Sequence, residues 1–201
     1  MNILDASFYQ REDVVQIGRE LVGKYLFTRI NGERTGGMIV ETEAYCHKDD
    51  RACHAHLQRR TKRTEIMYHA GGVAYVYLCY GIHHLFNIIT NVQDKADAVL
   101  IRAIEPSENI EIMQKRRRMN KVMPQLTAGP GAMSQALGIT KAHYGIPLTT
   151  GKLIWLEDRG IQVNAENIIV SPRVGVGYAG DDALLPWRFR IKDNPWTSKA
   201  K

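Results

Sequence analysis

At 201 residues, 44% hydrophobic and 24% charged, the chain has the make-up of one soluble globular domain with a sizeable core, and disorder is not indicated. A net charge of +6 and a pI near 9.3 favour an anionic partner, with DNA, RNA and acidic membrane surfaces all eligible. Residues Met1 to Ser7 lack a basic n-region and an apolar h-region, so no secretory signal is expected; Cys46, Cys53 and Cys79 read as reduced thiols of an intracellular protein.

In chain order, Val14, Ile17, Leu21 and Val22 recur at helical spacing and predict a helix over Arg11 to Val22, with Gly23 at its C-terminal cap. Two extended runs follow, Tyr25 to Ile30 and Gly37 to Tyr45, joined by Asn31-Gly32 and a short polar loop. Alternation in the second places Ile39, Glu41, Glu43 and Tyr45 on one face, and Met38, Val40, Thr42 and Ala44 on the other. Residues two apart on a strand stand roughly 6.5 to 7 Å from each other. If this face lines a cleft, one carboxylate serves chemistry while the other takes a structural partner; otherwise the face is simply solvated.

His47 to Arg63 reads as a loop. Cys46-His47, Cys53-His54 and His56 are metal-ligand types, but without a Cys-x-x-Cys pair the spacing fits no standard zinc pattern, and neither a metal nor a cofactor is expected. Basic loop residues are usually only solvated, yet Arg59, Arg60, Lys62 and Arg63 form a cluster suited to phosphates.

No Asp, Glu, Lys or Arg occurs from Ile66 to Gln93, a length sufficient to span a bilayer. The histidines, Asn87, the tyrosines and the glycine breaks within it exclude a membrane span and predict two strands instead. The first follows the Gly71-Gly72 turn and reaches the Tyr80-Gly81 corner; the second runs from Ile82 to Thr90. Tyr75, Tyr77 and Cys79 share a face of the first, where strand propensity and packing are enough to explain most aromatics. Tyr80 fits packing worst, and an aromatic at a corner in a basic protein has the form of a wedge or stacking platform for a nucleic-acid base.

Ala98 to Ile104 is a short apolar strand with one charge, Arg102, for which Glu41 and Glu43 are candidate partners. Ser107 to Val122 reads as a helix capped by Ser107, acidic at its start and basic at its end. Ala128-Gly129-Pro130-Gly131 leads into a helix over Ala132 to Leu137, closed by Gly138. The free N–H groups at that start, around Gly129 and Gly131, offer an anion site for a DNA phosphate, though most such starts bind water. Strands are expected over Lys152 to Leu156, Asn167 to Val170 and Trp187 to Ile191, with no linker or repeat dividing the chain. The pattern predicts a single α+β domain over residues 1–201 with a largely antiparallel sheet.

Several segments together carry a family resemblance: Glu41-Thr42-Glu43-Ala44-Tyr45, Tyr75-Val76-Tyr77 through Tyr80-Gly81 to Asn87, and Leu100-Ile101-Arg102-Ala103-Ile104-Glu105-Pro106. Gly129-Pro130 with Gln135-Ala136-Leu137, and Arg173-Val174-Gly175-Val176-Gly177 with Pro195-Trp196, complete the order. The chain resembles the alkyladenine (3-methyladenine) DNA glycosylases of the mammalian alkylpurine type, over nearly its whole length.

The resemblance implies a curved antiparallel sheet with a protruding β-hairpin and surrounding helices. It implies a monomeric, monofunctional glycosylase of base excision repair whose partner is double-stranded DNA with a damaged purine, free of membrane and, in a bacterium, cytoplasmic. Tyr80 matches the side chain that takes the place of a flipped nucleotide, and Tyr45, His54 and Tyr77 match those that sandwich the extruded base. Glu43 matches the general base, Arg102 and the Val174 carbonyl match the groups holding its water, and Asn87 matches the residue that excludes guanine. The chain departs from the family pattern at His83 and His84, beside the wedge, and in the basic loop after His54. Two readings from other classes stand beside it: a non-catalytic nucleic-acid binder stacking bases on Tyr77 and Tyr80, and a metal-dependent nuclease using Glu41, Glu43, Asp49 and Asp50.

Overall fold

One long strand organises the molecule. The computed structural model describes residues 2–199, and within them β1 (Tyr25–Ile30) turns back into the 13-residue β2 (Glu33–Tyr45). The turn is Asn31-Gly32 alone, both with positive φ, pairing Ile30 with Glu33. Such a turn matches the twist of the strands it joins, so the expected polar loop is absorbed into β2.

The second hairpin is β3 (Ala74–Cys79) with β4 (His83–Thr90), and β5 (Asp97–Glu108) follows. The chain then adds β6 (Ile154–Glu157), β7 (Ile168–Ser171) and β8 (Arg188–Ile191), one or two residues later in onset than the sequence predicts. The sheet runs β3-β4-β5-β2-β1-β6, with β8 on β2 and β7 on β8, and each pairing is antiparallel. β2 keeps β5 along one edge; its other edge pairs first with β1 and then, from Glu41 to Glu43, with β8.

Two register shifts make that change of partner possible. Val40 is an extra residue on β2 and Arg102 an extra residue on β5, flanking the Glu41–Ala103 pair. Bulges bend strands and re-aim side chains, and here they turn Arg102 toward the β2 carboxylates.

Four helices surround the sheet: α1 (Ala6–Tyr9), α2 (Val14–Glu20), α3 (Ile110–Arg117) and α4 (Pro130–Leu137). α2 is shorter than expected because Asp13 caps it, accepting from the Gln16 N–H, and α1 is too short to leave a periodic signal. The expected helix from Ser107 to Val122 is corrected more sharply. Pro106 and Glu108 still pair with Gly37 and Gly36 on β2, so Ser107 lies in β5, and the helix cap is Asn109 in the left-handed region. Sheet pairing overrides the capping signal, and Arg118, also left-handed, ends the helix five residues or so early.

Strand alternation sorts most of the core into two clusters, beside a small third one of Ala52, Val176 and Ala179. Ala44, Val76, Phe86, Ile88, Val99 and Ile101 pack with Ile17 and Leu21 of α2 and Met133 and Leu137 of α4. On that side Thr42 Oγ1 donates to the Gly18 carbonyl at 2.7 Å. Their strand neighbours Tyr75, Ile89 and Ala98 join Cys53, Ile66, Met67 and Tyr68 in the second cluster. The charge-free stretch is thus largely the β3–β4 hairpin, and no helix among the described residues is long and apolar enough to cross a membrane.

Candidate active site

Register, before any side-chain detail, defines the site. Across the sheet Tyr75 pairs with Asn87, Asn87 with Leu100, Leu100 with Glu43 and Glu43 with Arg188. Paired residues share a face, so one row spans β3, β4, β5, β2 and β8. A second row brings Tyr45 opposite Ala98. These rows floor a cavity of about 670 Å³ lined by Tyr45, His54, Tyr75, Tyr77, Asn87, Leu100, Arg102 and Val174, among others.

Glu41 and Glu43 are both fully buried, which excludes the solvated face. They are not equivalent. Glu41 Oε1 accepts from Arg102 Nε, Arg188 Nε and Ser198 Oγ, each at 2.8 Å, and its Oε2 accepts from the Ser198 N–H at 2.6 Å. Burial alone would raise the Glu41 pKa, but Arg102, Arg188 and Ser198 together hold it below the usual carboxylate range. Glu41 is therefore a structural anion, held by Arg102, Arg188 and Ser198.

Glu43 sits directly behind the cavity wall, bonded to three residues that form it. Its Oε1 accepts from the Val174 N–H at 2.8 Å, and its Oε2 accepts from Tyr45 Oη at 2.8 Å and lies 3.3 Å from Arg102 Nη1. Val174 meets Glu43 through its amide rather than its carbonyl. Arg102, 5% exposed, is shared by the two carboxylates. Burial raises the Tyr45 phenol far above its ordinary pKa, and the Glu43 charge adds to this, so it stays a donor to the carboxylate.

The opposite wall is aromatic. His54 Nδ1 lies 2.9 Å from Tyr75 Oη, and its ring meets Tyr77 edge-on at 4.8 Å. Burial first, then Arg63 and Arg59, push the His54 pKa down to about 4, so the ring is neutral at physiological pH. Asn87, 4% exposed, donates through Nδ2 to the Tyr75 carbonyl at 3.2 Å, which orients its amide at the floor.

Tyr80 stands at the hairpin tip, 90% exposed. The Ile82 N–H donates to the Cys79 carbonyl across Tyr80 and Gly81, both with positive φ, the pattern of a tight turn matched to strand twist. A tyrosine in that region is strained, and exposing it beside the cavity gains nothing for the fold.

Gly129 and Gly131 line the same cavity at the start of α4. A Cβ on Gly131 would fall 2.8 Å from the His83 ring, so glycine lets this helix close on the hairpin. The basic loop divides. Arg60 is bonded to Glu65 at 2.7 Å and near Asp94 at 3.4 Å, with its guanidinium over Tyr68, whereas Arg59 is exposed.

Three further groups belong to the site, residues that the sequence names without giving them a part in it. Arg63 lies 4.7 Å over the Tyr77 ring and donates to Tyr75 Oη at 3.2 Å. Tyr75 itself lines the cavity, its pKa pushed up to about 12, mainly by burial. Arg173, fully buried in an ion pair with Asp50 at 2.6 and 2.8 Å, packs over Tyr45 and fixes the adjoining Val174. An arginine next to the glycine-rich Val174-Gly175-Val176-Gly177 was the available signal, but its partner lies 123 residues away.

Of the metal-ligand types, Cys46 and His47 meet Asp97 with candidate ligand atoms within 4.8 Å of one another. Asp97 already accepts from the His47 N–H and lies against His47 Nδ1, both at 2.7 Å, and accepts from Asn91 at 2.9 Å, a clamp between the end of β2 and the start of β5.

Comparison with known proteins bears on this arrangement. Residues 7–195 match the family model described as methylpurine-DNA glycosylase (MPG). Among relatives provisionally named 3-methyladenine DNA glycosylase, that of Natranaerobius thermophilus is 42% identical over 97% of this chain and 98% of its own. That of Chlamydia felis is 45% identical over 94% and 96%, and that of Clostridium perfringens 41% identical over 98% of each.

Proposed function

Because the chain belongs to the methylpurine-DNA glycosylase family and so hydrolyses N-glycosidic bonds in DNA, we propose how this site does so and on what. The substrates are alkylated or deaminated purines of the 3-methyladenine, 7-methylguanine, hypoxanthine and ethenoadenine class. Each is rotated out of the duplex into the cavity and released by water that Glu43 activates, leaving an abasic site.

Extruding a base costs a few kcal/mol of stacking and pairing. Tyr80, exposed on a rigid turn, inserts where the base was, and Tyr45 on one side with His54 and Tyr77 on the other receives it. Asn87 rejects guanine through its exocyclic amino group. As the bond between C1′ and the purine nitrogen breaks, its electrons leave with the base and positive charge develops on the sugar. Glu43 stabilises that charge and takes the proton of the water that attacks C1′.

Arg102 and the carbonyl of Val174 hold this water, while the Val174 amide and Tyr45 fix the carboxylate. A purine methylated at N3 or N7 is cationic and departs unaided, whereas neutral hypoxanthine gains from protonation. A water nucleophile makes the enzyme monofunctional, and it acts as a monomer.

The observation that carries this reading is the pairing of unlike carboxylates: Glu41 saturated by two arginines and Ser198, Glu43 tied to residues that face the cavity. The test is incubation of the purified protein, in EDTA, with end-labelled duplex carrying one hypoxanthine, or treated with a methylating agent, followed by alkali. Strand cleavage only after alkali is expected. Cleavage before alkali, or dependence on a divalent ion, would favour a lyase or nuclease.

A further inference from the structure

Ten non-glycine residues of the described chain have positive φ. Six are Asn or Asp, which tolerate that region; of the rest, Leu57 and Tyr80 are the large hydrophobic ones. Leu57 (φ 56, ψ 34) is followed by Gln58 (φ 57), so two successive side chains are held in a conformation suited to glycine. Leu57 is also 84% exposed, close to the 90% of Tyr80. Strain that no packing offsets, at an apolar side chain thrust into water, is a signature these two positions share.

The loop that carries Leu57 is anchored at the cavity. Its ends, His54 and Arg63, both line the cavity and lie 3.2 to 3.3 Å apart through the Arg63 guanidinium and the imidazole nitrogens. The intervening tip, residues 55–62, stands outside the cavity lining and is tethered at both ends to its wall. Two residues beyond Leu57 stands the exposed Arg59 and, among the described residues, that guanidinium makes no ion pair. An apolar side chain beside an unpaired cation fits a surface that is anionic on its edge and apolar within a groove, which is duplex DNA.

We propose that Leu57 is a second apolar contact with the duplex, seated against the sugar and base edge flanking the flipped nucleotide, with Arg59 on the neighbouring phosphate. It rests on the reading that DNA meets the face carrying Tyr80. Tyr80 enters the stack; Leu57 braces the strand beside it.

The test uses Leu57→Asn, which tolerates positive φ but is polar, and Leu57→Gly, which removes strain and side chain together. Each variant is measured for thermal unfolding and for affinity to a duplex with a non-cleavable abasic analogue, beside Tyr80→Ala. Expected are a melting temperature equal to or above that of the parent and affinity weakened about tenfold, the scale of half-burying a leucine. Affinity within about twofold for both Leu57 variants while Tyr80→Ala binds weakly would overturn the Leu57 contact alone. If neither Leu57 variant nor Tyr80→Ala weakens binding, DNA meets another face and the proposal fails with its premise. A lowered melting temperature in Leu57→Asn and Leu57→Gly would assign the side chain to the fold instead.

Discussion

Arg102 Nε donates to Glu41 Oε1 at 2.8 Å from a position that exists only because β5 carries one residue more than β2 beside it. The same guanidinium reaches Glu43 through Nη1 at 3.3 Å. Glu41 is thus the anchor that aims a cation at the proposed base. Glu41→Gln removes the anion that Arg102 and Arg188 share in a buried place, and broken buried pairs cost about 3–5 kcal/mol. Denaturant unfolding is expected to show a loss of this size, with activity falling in the fraction that remains folded.

Glu43→Gln keeps the shape of the side chain but ends its capacity to take a proton. Single-turnover excision is expected to slow by roughly two to four orders of magnitude while DNA affinity is retained. An unchanged rate would move the general base elsewhere.

Tyr80→Ala removes an exposed side chain, so its melting temperature is expected to match the parent. Capture of a lesion duplex is expected to weaken more than binding to undamaged DNA, by roughly the 1–3 kcal/mol of a stacking aromatic. Equal losses on both duplexes would reduce Tyr80 to a general contact.

Asn87→Ala loses the bond to the Tyr75 carbonyl, at a cost of about 1 kcal/mol. Its informative readout is release of guanine from undamaged duplex, expected to rise above the parent level. A stable variant that still rejects guanine would place the selectivity in other residues of the floor.

His54 gives a pH signature. Its folded pKa of about 4 lies below the 6.5 of an unfolded histidine, so the unfolded chain binds the proton first. Stability from this group is complete above about pH 6.5 and is lost as pH falls toward 4, by at most about 3 kcal/mol. Unfolding followed at pH 7 and pH 4.5 is expected to show a smaller acid loss in His54→Gln than in the parent.

The sheet and most of the candidate site were legible from residue order because alternation along β2 and β3 is a local property. It grouped Glu41 with Glu43 and Tyr75 with Tyr77, and their neighbours do face the other cluster. The extent of α3 was not legible: Ser107 followed by acidic residues is a sound local cap, but pairing of Pro106 and Glu108 with glycines of β2 outweighs it. Nor was the Ser198 clamp that singles out Glu41 as the structural member of the pair, since Ser198 is 157 residues from its partner. Arg63 was read as one of a phosphate-binding cluster, and only the folded loop brings its guanidinium onto Tyr77.

The row that runs Tyr75, Asn87, Leu100, Glu43, Arg188 is stitched from five strands spread over most of the chain. No single strand holds the proposed base Glu43 together with the proposed selecting residue Asn87. Local unfolding that loosens β4, and with it Asn87, also unseats the Leu100 pairing that backs Glu43. On the proposed roles of Glu43 and Asn87, a half-unfolded copy is expected to fall silent rather than to strip sound bases from DNA.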